Sequence, residues 1–417
     1  MRLSPILISE IPDRFSAFAR KRTADFWLFE SSVWLHSFAS SLISIFIPIL
    51  LLSNGFSLKE VFLFYILFHA FNIPANYLGG YMVSRLGARI PIIVGTVCAV
   101  IFFILYSSVS EWSHLLYMAL FYALYDGLYY TASLYLFMGS TKDPENSGEN
   151  TGILHLVTRS AWLLGPIVGS ILVLASGGDR LVVVAVVILF FIFSLIPLFL
   201  LKELETKPER KIIPIREFFN NPRELKNHVS FGLYKIHEAV ELVVFPVFIF
   251  ITFAELSSVA VLAILIPIVG IVFSYAVSNI KRSQREHVIM IGSGLLAAVW
   301  ILRLIVDSQI LLYATTVATG LFALFILVPL DANMFVRGSE RGALSASMFR
   351  NIASMSAKLM LYVFLYIIVF TFGVSFGVAI AALLLLMYFN YRYIQWRKTQ
   401  PGEQTSVVGL PSKKVRG

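Results

Sequence analysis

The sequence is poor in charge and nearly devoid of cysteine. Asp, Glu, Lys and Arg make up only 14% of its 417 residues, against about 25% in an ordinary soluble domain. That leaves too little polar surface to cover a water-facing globule. The single cysteine, Cys98, rules out an intrachain disulfide and fits no metal-ligand spacing. No phosphate-cradling G-x-x-x-x-G-K-[ST], zinc spacing or serine-centred nucleophile motif occurs, so neither nucleotide-driven work nor enzymatic chemistry is expected, and no metal or cofactor. The apolar runs lack the two-residue alternation of a membrane barrel. Residues 1–26 mix Pro5, Pro12, Arg14, Arg20, Lys21 and Arg22. They lack the clean apolar core of a cleavable signal and read as a cytoplasmic lead-in.

What fills the chain instead is hydrocarbon. Hydrophobic residues account for 58% of it and the mean hydropathy is +0.82. About 20 consecutive apolar residues suffice to span a bilayer as a helix. Twelve such stretches occur, at 27–52, 59–83, 90–109, 113–138, 149–176, 181–201, 228–253, 256–279, 287–306, 309–333, 343–370 and 373–395. The expected fold class is therefore an all-α, polytopic membrane protein of twelve transmembrane helices.

The net charge of +9 is distributed by topology and does not form a nucleic-acid patch. Loops around Arg85/Arg89, Lys142, Lys281/Arg282/Arg285 and Arg337/Arg341 are basic, as are both ends, whereas the intervening loops carry only Lys59 and Arg180. The positive-inside rule then places both termini in the cytoplasm, consistent with an even number of spans. The expected location is the cytoplasmic (inner) membrane of a prokaryote. Residues 202–227 are charged and broken by proline, and they divide the chain into a six-helix bundle over 27–201 and a second over 228–395, with a cytoplasmic tail at 396–417. Such a layout suggests duplication of a unit that itself holds inverted three-helix repeats.

Between spans two and three stands Gly80-Tyr-Met-Val-Ser84-Arg85-Leu-Gly87-Ala-Arg89. It resembles the signature loop of the major facilitator superfamily, G-x-x-x-D-R-x-G-R-R, with Ser84 where the aspartate stands and Ala88 in place of one arginine. Glycines at such positions let helices approach closely, and arginines meet helix C-termini. Losing the aspartate weakens an ionic latch, so the gate is expected to be held differently. In span five, Gly152, Ala161, Gly165, Pro166, Gly169 and Ser170 follow G-x8-G-x3-G-P-x2-G-G, a pattern typical of proton-driven exporters of this superfamily. Small-residue packing of an ordinary membrane helix is the plainer explanation. The exporters' span-four arginine is absent, since Ala123 precedes Gly127 by four. The resemblance implies two pseudo-symmetric six-helix bundles and a site at mid-membrane between them.

A charge at membrane depth costs roughly 3 kcal/mol on insertion scales, so the charges within the spans are the candidate site. Asp126 in span four and His155 and Arg159 in span five fall at similar depth and are expected to cluster, either as a proton carrier or as a static pair. In span seven, Lys235, Glu238 and Glu241 share one helical face. Two carboxylates this close cannot both ionise cheaply, which suits a proton carrier. Internal neutralisation by Lys235 is the alternative. Arg350 and Lys358 of span eleven are candidate counter-charges or substrate anchors, and the resemblance makes that span a neighbour of span seven. Tyr125 among its tyrosines and Asn72 are further substrate candidates, weighed against ordinary helix packing. Glu30 is expected to reach water, Arg303 to pair with Asp307, and Asp331 to lie near Arg337 or Arg341. His36 and His69 read as packing residues.

The expected function is secondary transport of a small polar solute by alternating access, coupled to protons, by a monomer in a lipid bilayer without nucleic acid. The alternatives are a multidrug or metabolite–proton antiporter (an exporter), a lipid-moving transporter, and a non-transporting sensor on the same fold.

Overall fold

A computed structural model describes residues 23–140, 147–176, 180–201, 212–253, 256–278, 280–368 and 370–399. These form twelve long helices: α1 (Ala24–Ser53), α2 (Leu58–Leu86), α3 (Arg89–Ser107), α4 (Trp112–Ser140), α5 (Ser147–Ala175), α6 (Arg180–Leu200), α7 (Pro222–Phe253), α8 (Leu256–Ser278), α9 (Arg285–Arg303), α10 (Gln309–Arg341), α11 (Ala343–Ile367) and α12 (Phe372–Lys398). Eight are long and apolar enough to cross a membrane by length and composition alone. The lead-in at 1–22 and the tail from 400 onward lie outside the described residues, as does 202–211 of the central connection.

Helix ends follow local chemistry. At the start of α2, Ser57 and Glu60 form a reciprocal capping box, with the Ser57 amide 2.7 Å from the Glu60 carboxylate, satisfying two otherwise orphan donors. Asn221 caps α7, with Pro222 in the first turn where its missing amide hydrogen costs nothing. The α7 helix therefore begins six residues before its apolar stretch, and α10 continues eight residues past its own, to Arg341. Apolar length marks the hydrocarbon zone, whereas the helix continues until a cap stops it. Two spans are interrupted. The α1 helix passes through a 3-10 turn at Ser44–Phe46, and α7 through a π turn at Val240–Val244, closed by the Phe245 amide on the Val240 carbonyl.

The helices pack as two six-helix bundles. In the first half α1 lies on α5 and α6, and α4 on α2 and α3. In the second α7 lies on α10, α11 and α12, and α9 on α10 and α12. The halves meet along α2 with α11 and along α5 with α8. At the end that carries the basic loops, α4 touches α10 and α11, and α5 touches α10. At the opposite end the last turns of α1 touch those of α7. Large apolar side chains such as Ile104, Phe199, Ile301 and Leu385 face outward from α3, α6, α9 and α12, as a hydrocarbon solvent requires.

The signature-loop residues fall where close approach is needed. A Cβ on Gly80 would come within 2.8 Å of Met348 Sδ on α11, so the two halves touch there through a thioether and a bare backbone. Gly87 ends α2 at φ 79°, a conformation that favours glycine. Arg89 donates to the Leu201 carbonyl just past the C-terminus of α6, the helix-end contact expected of such an arginine. Arg85 lies over the Tyr81 ring and the Ser84 hydroxyl bonds back to the Tyr81 carbonyl. Neither contact crosses between halves, so at this point Met348 against Gly80 is the packing between them. In the α5 pattern, Gly165 and Gly169 fit against Ser41 and Leu42 of α1, where that helix breaks, and the Ser41 hydroxyl donates to the Ala161 carbonyl at 3.0 Å. Gly152 is buried.

Candidate functional site

A cavity of about 490 Å³ lies between the halves. Its wall includes Asp126 of α4, His155 and Arg159 of α5, Lys235 and Glu238 of α7, Asp331 of α10, and Arg350 and Lys358 of α11. Aromatic rings fill much of the remainder, among them Phe68, Tyr122, Trp162 and Tyr362.

Glu238 sits between two lysines. Lys235 Nζ lies 2.6 and 2.7 Å from its two oxygens, and Lys358 Nζ lies 3.3 Å from Oε2. Both sequence alternatives for this carboxylate are realised together: neutralisation within α7 and a bridge to α11. Lys235 also rests 5.1 Å from the Phe231 ring centroid, a further stabilisation of a partly desolvated ammonium.

Glu241 does not join that cluster. Its carboxylate takes both arms of the Arg303 guanidinium, and Arg303 is completed by Thr315 at 2.9 Å and Thr316 at 3.2 Å. The same guanidinium lies 3.7 Å from the Phe245 ring centroid. Three residues in a regular helix already leave an angle of about 60°, and the π turn that contains Glu241 adds to it. Glu241 is therefore at the cavity wall by position but is held from behind, in a closed structural pair. The expected Arg303–Asp307 pair is corrected accordingly: Arg303 has no exposed side-chain surface.

Asp126, His155 and Arg159 also part company. Among the described residues Asp126 has no cation within salt-bridge distance. It accepts from Asn72 Nδ2 at 2.9 Å, and Lys235 and Lys358 are within electrostatic reach. Behind it runs a directed chain of hydrogen bonds: Asn351 to Thr131 (3.4 Å), Thr131 to Asn76 (2.7 Å), and Asn76 to Asn72 (2.5 Å). Every donor points toward the Asp126 carboxylate, so each bond polarises the next. The chain begins on α11, in the other half. Asn72, expected to touch substrate, is fully buried and serves as the last donor of this chain.

His155 is taken by the second half. Its Nε2 is 3.2 Å from Asp331 Oδ2, while Asp331 Oδ1 accepts from Arg350 at 2.7 and 3.1 Å. Arg350 in turn stacks 4.2 Å from the Phe231 centroid. Asp331 thus binds one residue of each half and does not face Arg337 or Arg341. Arg159 is left with no hydrogen bond or carboxylate partner among the described residues, although Tyr234 and Glu238 are within electrostatic reach. Depth along a span can be read from sequence, but the direction in which a side chain leaves its helix cannot, and that separates these three residues.

Tyr125 is likewise withdrawn from the cavity. Its hydroxyl is 2.7 Å from His36 Nε2 and 3.0 Å from Ser40 Oγ, and the His36 ring stacks on Tyr129 at 3.4 Å. Tyr122, Tyr129 and Tyr130 reach the wall instead. His69 also lies on the wall, stacked with Tyr65 and Tyr362, with Nδ1 3.2 Å from Met355 Sδ. Glu30 does not reach water: it is 2% exposed, and neither carboxyl oxygen has a hydrogen-bond partner among the described residues.

Sequence reasoning gave Asp331 and Arg303 the wrong partners and missed Thr131 and Asn351. A signal existed for Asp331, which follows the unbroken apolar run Ile326-Leu-Val-Pro-Leu330 and so stands deeper than its distance from the next basic loop suggests.

The sequence itself matches the Major Facilitator Superfamily family model over residues 31–392. The chain belongs to the major facilitator superfamily. It is an integral membrane protein of the secondary-transporter class and not an enzyme. No curated protein matches it. Among solved structures, this superfamily member resembles the human organic anion transporter MFSD10 (TETRAN), with a TM-score of 0.67 and 12% identity over 88% of this chain and 100% of the other. It also resembles a bacterial homologue of the iron transporter ferroportin in an outward-facing state, with a TM-score of 0.67 and 13% identity over 89% and 100%. At such identities the likeness concerns the fold alone.

Proposed function

We propose that this superfamily member moves a small polar solute by alternating access of the central cavity and couples that movement to protons through Asp126 and the Lys235–Glu238–Lys358 triad. The two halves, 27–201 and 228–395, act as the rocking units of a monomer. Both termini lie on the cytoplasmic side of a prokaryotic inner membrane, as the basic loops favour.

The observation that carries this reading is the state of Asp126. Its carboxylate stands on the wall of a cavity between the halves, held by one amide and, among the described residues, by no cation. Across from it are two lysines that share a single carboxylate. When Asp126 is ionised it attracts those lysines and draws the halves together. When it carries a proton that attraction is lost and the halves separate at less cost. Such a difference between two conformations is what a coupled carrier requires. A scaffold without transport would lock its charges with no space between the halves, and the cavity speaks against that alternative.

The test is solute uptake into proteoliposomes with an imposed pH gradient, followed with a trapped pH-sensitive dye. Uptake should rise with the gradient, and Asp126→Asn should abolish the dependence. Uptake that ignores the gradient, and is unaltered by Asp126→Asn, Glu238→Gln and Glu241→Gln, would sink proton coupling.

A further inference from the structure

The wall of the cavity carries four cations, Arg159, Lys235, Arg350 and Lys358. Facing them are the carboxylates of Asp126, Glu238 and Asp331, with Glu241 occupied by Arg303 behind the wall. One positive charge is therefore in excess. Geometry identifies which: Lys235 and Lys358 sit on Glu238, Arg350 sits on Asp331, and Arg159 alone has no ion pair among the described residues. Its Nε is closed off from solvent without a hydrogen-bond partner. A guanidinium left in this state at membrane depth is costly unless something anionic joins it.

The surroundings accommodate this arginine and do not neutralise it. Gly270 of α8 has no side chain where the Arg159 stem passes, and a Cβ there would collide with Arg159 Cδ. Trp162 lies one turn further along the same face of α5, Pro267 lies one turn before Gly270 on α8, Tyr234 is within electrostatic reach of Arg159, and all three line the cavity. Two further orphans, the Ser44 and Thr319 hydroxyls, belong to the same cavity.

The geometry points to Arg159 as the anchor for an organic monoanion, a carboxylate or sulfonate, whose flat apolar body lies against Trp162, Tyr234 and Pro267. One excess charge matches a single negative charge, and a forked guanidinium suits a planar or trigonal oxyanion. This inference rests on the transport reading, since it names the chemical class of the solute that occupies the same cavity.

The experiment uses the full chain in lipid nanodiscs, with thermal stabilisation and tryptophan fluorescence as readouts. The probes are 2-naphthoate, naphthalene-2-sulfonate, the neutral 2-naphthamide and the dianionic 2-naphthyl phosphate. The monoanions should bind saturably, and the amide and dianion at least tenfold more weakly. Arg159→Gln should abolish the preference for charge while leaving the unliganded unfolding temperature intact or raised. Arg159→Lys should retain part of it. Gly270→Ala, which displaces the arginine without removing its charge, should weaken monoanion binding at least tenfold. Equal binding of amide and carboxylate, or undiminished naphthoate binding by Arg159→Gln, would overturn the assignment. If no monoanion binds while the wild-type protein still carries another solute down a pH gradient, only the solute class fails. If monoanions bind but no solute movement responds to the gradient, only proton coupling fails.

Discussion

The two halves of this transporter handle charge in opposite ways. In the second half each acid at or behind the cavity wall is joined to a cation: Glu238 to two lysines, Glu241 to Arg303, and Asp331 to Arg350. In the first half none is. Asp126 rests on an amide, Glu30 has no hydrogen-bond partner, and Arg159 has no acid among the described residues. Pairing settles a buried charge and makes it part of the framework. An unpaired charge is left to respond to what enters the cavity, a proton or a solute. On the proposed reading, Asp126 and Arg159 of the first half are the charges that respond, the Lys235–Glu238–Lys358 triad is what Asp126 acts against, and the closed pairs Glu241–Arg303 and Asp331–Arg350 are framework.

The largest break in that contrast should come from Arg303→Met. Glu241 would be left charged and enclosed, a loss of about 3–5 kcal/mol, seen as a large fall in unfolding temperature in detergent. Restoring stability with the double variant Arg303→Met/Glu241→Leu would attribute the loss to the stranded acid. Wild-type stability in the single variant would refute the framework role.

Asp126→Asn should do the reverse. No cation is stranded, so the unfolding temperature should stay near wild type while gradient-driven uptake falls at least tenfold. A destabilisation as large as that of Arg303→Met would erase the distinction between the halves.

Thr131→Val sharpens the comparison from inside the hydrogen-bond chain. It leaves the Asn76 side-chain Oδ1 without its Thr131 donor and cuts the link to Asn351, at a cost of about 1–2 kcal/mol. Gradient-driven uptake should fall less than in Asp126→Asn, because the Asn72 contact survives. An unchanged rate would make the chain a packing device only.

Ser57→Ala gives the smallest effect. It removes the α2 cap at a cost of about 1 kcal/mol and should not alter solute or proton dependence. It sets the scale for a purely structural change in the first half.

The fold was legible in the sequence because hydrocarbon imposes length and because the loops alternate in charge. Helix ends were less so: Asn221 carries α7 outward beyond its apolar zone. The second-half cluster was legible in part: Lys235 and Glu238 are one turn apart on the same helix and the family resemblance brought Lys358 beside them, but Glu241 and Arg350, expected in the same cluster, pair with Arg303 and Asp331. The first-half cluster was not. Asp126, His155 and Arg159 share a depth, but each leaves its helix in its own direction, and nothing local fixes that direction. Arg303 and Asp331 were assigned to span ends by distance from the loops, although their partners lie on other helices, Glu241 and Thr315 for Arg303, Arg350 and His155 for Asp331.

Asp331 divides its two oxygens between the halves, Oδ2 toward His155 and Oδ1 toward Arg350. A motion that parts α5 from α10 must release the first contact and can leave the second untouched, so the carboxylate travels with one half while the imidazole stays with the other. The Nε2 resonance of His155 in a nitrogen-15 spectrum would then serve as a built-in reporter of the conformational cycle, readable in the native chain without an attached label.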